Sequence, residues 1–237
     1  MEMVQVKEKY FNNESSQEAG LLQGDVIIPR GADRIIIVRK LQPSRIILEE
    51  GARLTYVFIG NEGWAENAKV TFEFVGRESD LSFFGFIIGK GEHKFPFETV
   101  SDHLVPRTKA RFFINACLHD RSAVDYKGSI IIRKPAQFTD AYLTHHTLLL
   151  SDYARTRTIP SLEISANDVK AGHSASIGKF DEELLFYLKS RGIDDKTAEG
   201  MLTGAFFGNL IAMMQNENAR KSVYDVLSQS IPNLFIS

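Results

Sequence analysis

Short apolar runs rich in Ile, Val and Phe recur from Val26 to about Ile177, separated by clusters of Gly, Asn, Asp, Glu and Pro. The runs include Arg34–Arg39, Arg45–Leu48, Leu54–Ile59, Val70–Val75, Leu81–Ile88, Ala110–Cys117 and Ser129–Arg133. Their length and their β-branched and aromatic content predict strands, and the intervening residues predict turns. Val70–Val75 alternates, with Val70, Phe72 and Phe74 on one face and Thr71, Glu73 and Val75 on the other. Other runs, RIIIVR and SIIIR among them, are apolar on both faces, which suits sheets covered on two sides. The pattern predicts an all-β, layered core. Sandwich, barrel and β-helix all fit it, and no clean repeat chooses between them.

Beyond Ile177 the period changes to that of helices. Asp181 is placed to cap EELLFYLKSR, whose Leu184, Leu185 and Leu188 form an apolar stripe, and Gly192 is placed to stop it in the left-handed region. A second helix is expected from Asp194 to about Met214. A third, from about Glu217 to Ser230, ends before Pro232. Within the second helix, Gly200, Gly204 and Gly208 recur every fourth residue. Each lowers helix propensity by up to ~1 kcal/mol, so the row implies close approach of another backbone. That backbone is either a neighbouring element of the same chain or a partner docking on a face that also carries Phe206 and Phe207. The expected organisation is an unassigned segment over 1–24, a β core over 25–178 and a helical region over 179–237.

Composition narrows the classes of function. With 28 basic and 30 acidic residues the formal charge is -2, which gives no footprint for nucleic acid or an anionic membrane. No apolar run approaches the length of a bilayer span, and no signal peptide is evident at the start; the cytoplasm is the expected compartment. The single cysteine, Cys117, excludes an internal disulfide framework and fits a reducing compartment. The 6 histidines show no helical zinc spacing, and the adjacent His145 and His146 would point to opposite faces of a strand. Neither a nucleophile elbow nor a phosphate loop is present. Arg155, Arg157 and Arg191 are either an anion site or ordinary solvated and salt-bridged side chains.

The stretch LLLSDYARTRTIPSLEISANDVKAGHSASIG, from Leu148 to Gly178, resembles the signature block of the SufD/SufB family. FDEELLFYLKSRGIDDKTAEGMLTGAFFGNLI, from Phe180 to Ile211, resembles the same family's C-terminal helices. The resemblance implies a right-handed parallel β-helix followed by a small α-helical domain. It also implies a non-catalytic subunit of the SUF iron–sulfur cluster assembly machine. Such a subunit pairs through its β-helix with a SufB-like or identical chain, and docks a SufC-type ABC ATPase on its helices; the resemblance leaves open whether a reduced flavin takes part. On this resemblance the Gly200, Gly204, Gly208, Phe206 and Phe207 face is the candidate docking site. His173 matches the histidine of the family's DVK-x-x-H motif and is a candidate ligand of a transient iron–sulfur cluster. His145 falls where SufB-type members carry a cysteine, either substituting as a ligand or marking a lost site. Ala171 stands where many SufD-type chains have cysteine. Since clusters are usually held by several thiolates, one chain with a single Cys would share its cluster with a second subunit. Two rival readings are a structural adaptor that binds the ATPase but no iron, and a β-helix carbohydrate-active enzyme.

Overall fold

In a computed structural model of the chain, which describes residues 11–12, 15–16, 24–64, 66–179 and 182–230, the strand zone winds into a parallel two-sheet solenoid. β1 (Phe11–Asn12) and β2 (Ser15–Ser16) form a short antiparallel pair, and β1 packs against β4 (Asp33–Val38). The chain then passes alternately between two sheets. The odd sheet holds β3 (Gly24–Ile28), β5 (Ser44–Leu48), β7 (Ala68–Phe74), β9 (Lys94–His103), β11 (Ala123–Ile132) and β13 (Arg155–Ile164). The even sheet holds β4, β6 (Arg53–Gly60), β8 (Asp80–Gly89), β10 (Lys109–Leu118), β12 (Asp140–Leu149) and β14 (Lys170–Lys179). All neighbours within the two sheets are parallel. Most of residues 1–24, together with Asp181 and Pro232, lie outside the described residues.

The alternation read in Val70–Val75 is realised: Val70, Phe72 and Phe74 are fully buried between the sheets, and Thr71, Glu73 and Val75 face outward. In the middle coils the lumen is an aromatic ladder, in which Tyr56 and Phe83 stack at 5.4 Å and Phe83 meets Phe112 at 5.4 Å. Such side chains bury the largest apolar areas available, and paired rings add ~0.5–1.5 kcal/mol beyond area. The runs that are apolar on both faces have a different cause. Ile36 and Val38 point into the lumen, whereas Ile35 joins Val57, Ile59, Phe84, Phe86, Ile88 and Cys117 on the outer face of the even sheet. That outer face is roofed by helices.

α1 (Glu182–Ser190), α2 (Asp195–Ala212) and α3 (Glu217–Ser230) follow β14. Asp194 caps α2, its carboxylate accepting from the Thr197 N–H at 3.1 Å, and Gly192 turns the chain at φ 84°. Phe207 and Leu210 of α2 and Val223 and Leu227 of α3 share one apolar cluster with the even sheet. Asn115 pins the roof by donating to the Phe206 carbonyl at 3.0 Å. The outer face of the odd sheet is solvated instead. It carries cross-strand ion pairs: Arg45 with Asp25 and Glu73, Lys127 with Glu98, Arg133 with Asp102 and Arg157 with Asp125. Each such pair contributes no more than about 1 kcal/mol.

Two stacked features run the length of the solenoid. The first residues of the even strands pair in register as Asp33, Arg53, Asp80, Lys109, Asp140 and Lys170, a ladder of strictly alternating charge. Two residues before five of those strands, at the corner entered from the odd sheet, the backbone is left-handed: Gly31, Gly51, Glu78, Arg107 and Phe138 have φ between 60° and 66°. The corner N–H of Gly31, Gly51, Arg107 and Phe138 donates to a carbonyl of the next coil. Glycine adopts this conformation at no steric cost, while other L-residues lose roughly 1–2 kcal/mol there.

Candidate functional site: the mouth of the solenoid

The lumen changes character coil by coil toward its C-terminal end. Along the even sheet, Phe58 is followed in register by Gly85, Ile114 and His145. Along the odd sheet, Phe95 is followed by Val124 and Thr156, and Phe97 by Tyr126 and Thr158. The aromatic ladder thus gives way to hydroxyls and an imidazole. Period-2 geometry explains why: RTRT from Arg155 sends Thr156 and Thr158 inward and both arginines outward, and His145 and Thr147 share an inward face on β12. β13 and β14 end the two sheets, and no further strand covers them among the described residues.

His145 is 1% exposed, and both ring nitrogens are engaged. Nδ1 lies 2.5 Å from Thr158 Oγ1 and Nε2 lies 3.3 Å from Thr147 Oγ1, which in turn lies 3.2 Å from Thr156 Oγ1. The Tyr126 ring meets the imidazole edge-on at 5.4 Å. The Tyr126 hydroxyl pairs with Thr99 at 2.6 Å and passes over Gly128, where an added Cβ would fall 2.6 Å from it. Burial holds the His145 imidazole neutral by lowering its pKa to about 4, and the neighbouring His146 adds to that. One nitrogen therefore donates and the other accepts, so the ring's single in-plane lone pair is already engaged within the chain.

His173 is the opposite case. Its register partner is Leu143, an inward position, so β14 presents it on the same inner surface as His145, two residues out of step. With β14 the last strand, that inner surface is the mouth itself, and His173 is exposed there beside the small residues Ala171 and Ala175. The structure thus sets the two candidate histidines on one surface, one sealed beneath and one at the rim. Among the described residues no three His, Cys, Asp or Glu side chains converge as a metal-binding group.

The remaining candidates lie elsewhere. Cys117 is buried beneath the helical roof, and burial alone drives its thiol pKa well up, leaving it an inert thiol. Gly200, Gly204 and Phe207 are buried within the chain; Phe207 meets Phe86 at 5.9 Å, so this part of the face serves intramolecular packing. Phe206 is half-buried, and an added Cβ at Gly208 would meet nothing within 4 Å. Large exposed apolar side chains of the helical region include Leu184, Phe186 and Tyr187 on α1, with Phe186 73% exposed, together with Met213 and Tyr224. Arg157 forks onto Asp125, Arg155 donates to the Asp152 and Ala154 carbonyls, and Arg191 lies over Tyr187, so the three arginines form no common site. Sequence reasoning had passed over Thr147, Thr156, Thr158 and Tyr126, although the alternation at Arg155–Thr158 carried the signal.

These features define a class: a parallel β-solenoid with a polar, histidine-bearing mouth, one outer face solvated and the other roofed by helices. Residues 38–206 match the family described as SUF system FeS cluster assembly, SufBD core domain. A SufBD family iron–sulfur cluster assembly protein of Mycobacterium tuberculosis is 31% identical over 186 residues, covering 75% of this chain and 46% of that protein. The iron–sulfur cluster assembly protein SufD of Escherichia coli is 35% identical over 113 residues, 48% of this chain and 27% of the relative. SufD of Bacillus subtilis is 28% identical over 145 residues, 61% and 33% respectively. The chain belongs to the SufBD family of iron–sulfur cluster assembly proteins, and it spans less than half the length of these relatives.

Proposed function

We propose that the chain is a scaffold or accessory subunit of a cytoplasmic SUF complex, without turnover of its own. It pairs through the mouth end of its solenoid with a SufB-like or second copy, and it docks a SufC-type ATPase through its C-terminal helices. The observation that carries this reading is the family match over residues 38–206, which runs from the solenoid into α2. Two surfaces suit the two contacts. The outer edges of β13 and β14 offer backbone hydrogen-bonding groups of the kind that accept an added strand. The apolar side chains on α1, Leu184, Phe186 and Tyr187, are exposed where a partner is needed, so the ATPase contact moves from the Gly200–Gly208 row to this neighbouring face.

The nascent cluster is cargo, and His173 is the residue of this chain placed to hold or deprotonate part of it. A neutral imidazole nitrogen is an accepted iron ligand, and the partner subunit would supply the thiolates. The engaged nitrogens of His145 and the sealed thiol of Cys117 favour a second reading, an adaptor that recruits the ATPase and leaves iron to its partner. Anaerobic iron and sulfide reconstitution of the chain, co-purified with its SufC-type ATPase and a SufB-like subunit, separates the two. In a cluster-holding scaffold, His173→Ala loses the visible absorption with the complex intact. In an adaptor the absorption is unchanged, and absence of any complex sinks both readings.

A further inference from the structure

On the solvated odd sheet, charges that meet across neighbouring strands pair, as Arg45 does with Asp25 and Glu73 and Arg157 with Asp125. The first rungs of the even-sheet charge ladder behave differently. Asp33, Arg53 and Asp80 stand side by side in register on β4, β6 and β8, about 4.8 Å apart at the backbone. Their side chains nevertheless make no ion pair or hydrogen bond among the described residues. All three line a hollow of about 500 Å³, a volume typical of small-molecule sites, between the even sheet and the turn that joins α2 to α3. Burial raises the Asp80 carboxyl above its ordinary range against the pull of Lys109, Arg111 and Arg53, so this carboxylate is partly desolvated without a direct partner.

The lining specifies the ligand. Thr55 follows Arg53 on the same face of β6, and Ser82 follows Asp80 on the same face of β8. Each strand thus offers a charge and a hydroxyl, of opposite sign on neighbouring strands. Asn216 joins from the turn; its Oδ1 accepts from the Ala219 N–H at 3.0 Å, which leaves its amide N–H groups to donate elsewhere. Phe84 and Met213 supply an apolar side. Of the charges nearby, Arg111 is taken by Asp140, Glu217 pairs with Arg220, Arg34 donates to the Asp33 carbonyl, and Lys109 continues the ladder one strand beyond Asp80. A simple cation would meet Arg53 here, and a simple anion would meet Asp33 and Asp80. A ligand carrying both signs meets neither obstacle, and an α-amino acid holds its two charges one carbon apart, close enough to span adjacent strands. We propose that this hollow binds a small zwitterion, an α-amino acid with an apolar side chain. Its carboxylate lies on Arg53, Thr55 and Asn216, its ammonium on Asp80 and Ser82, and its side chain against Phe84 and Met213. The site is separate from the mouth and from the exposed α1 face, and it does not depend on cluster chemistry.

The test is equilibrium dialysis of the whole chain against radiolabelled L-leucine. Saturable binding is expected, weakened about tenfold or more by Arg53→Gln and by Asp80→Asn with urea midpoints retained. Should Asp80→Asn lose its midpoint, the exposed Arg53 decides alone. Unlabelled leucine should displace the label, whereas leucinamide, which lacks the carboxylate, and isocaproate, which lacks the amino group, should not. Leucinamide competing as well as leucine would make the hollow a cation site, and isocaproate doing so an anion site; either overturns the proposal. Failure of leucine to saturate up to its solubility, or wild-type binding by Arg53→Gln, overturns it as well.

Discussion

Two imidazoles are sealed in the lumen, and both are held neutral by burial. His103 stacks on Phe74 at 4.1 Å, and its Nδ1 lies 2.7 Å from the Thr108 hydroxyl. Its Nε2 finds no partner among the described residues, and its pKa falls to about 3; that of His145 falls to about 4. The unfolded chain protonates both near the ordinary value of ~6.5 while the folded chain does not. Their contribution is therefore complete above pH 6.5 and is lost as pH falls from there toward 4, at about 1.4 kcal/mol per pH unit for each histidine. The Asp80 carboxyl, raised by burial, works in the opposite sense at the acid end of that window. Urea midpoints should fall steadily from pH 7 to pH 5, and His103→Gln should flatten the slope; a slope unchanged in both His103→Gln and His145→Gln would show that neither imidazole is sealed. The sequence marked His145 only through family resemblance and left His103 among ordinary histidines. The hydroxyl partners sit at the next corner for His103, and on the same and the following strand for His145, and the meeting of those side chains in the lumen is set by how the sheets face each other, which local pattern does not carry.

At the scale of elements, strand identity was legible because alternation and β-branching are local properties, as Val70–Val75 and Arg34–Arg39 show. The choice among layered folds was not. Successive even strands begin at Asp33, Arg53, Asp80, Lys109, Asp140 and Lys170, and the shorter early coils break any constant period. β9 was obscured by Pro96, whose missing N–H weakens the strand signal. In the glycine row of α2, Gly200 and Gly204 are buried within the chain while Gly208 faces open space, a division that the fourfold spacing cannot carry. The corners supply the element-scale prediction. Glu78 sits at φ 60° where Gly31 and Gly51 sit at 66° and 65°. Glu78→Gly should raise stability by roughly 1 kcal/mol, the relieved strain exceeding the added unfolded-state entropy. A urea midpoint that falls instead would assign Glu78 a stabilising contact at the corner.

At the scale of the whole molecule, the solenoid is a linear array in which each coil rests on its neighbours, so its two ends are chemically distinct surfaces. The mouth end is the one that the proposed function occupies. The other end, at β4, is met by β1. The charge ladder gives this array a polarity, beginning on Asp33 and finishing on Lys170. Placed head to tail, the β14 edge of one molecule against the β4 edge of the next would continue both the parallel hydrogen bonding and the alternation of charge. Such a heterologous contact does not close on itself; it grows a filament. The small β1–β2 pair meets β4 at that end, where it would stand in the way of such growth and keep a self-complementary rod from polymerising. A variant lacking residues 1–23 should scatter light as elongated assemblies when no mouth-end partner is present, and adding Lys170→Glu should return it to single molecules. A truncated chain that stays monodisperse would mean that the rod is kept apart by something other than its first strand.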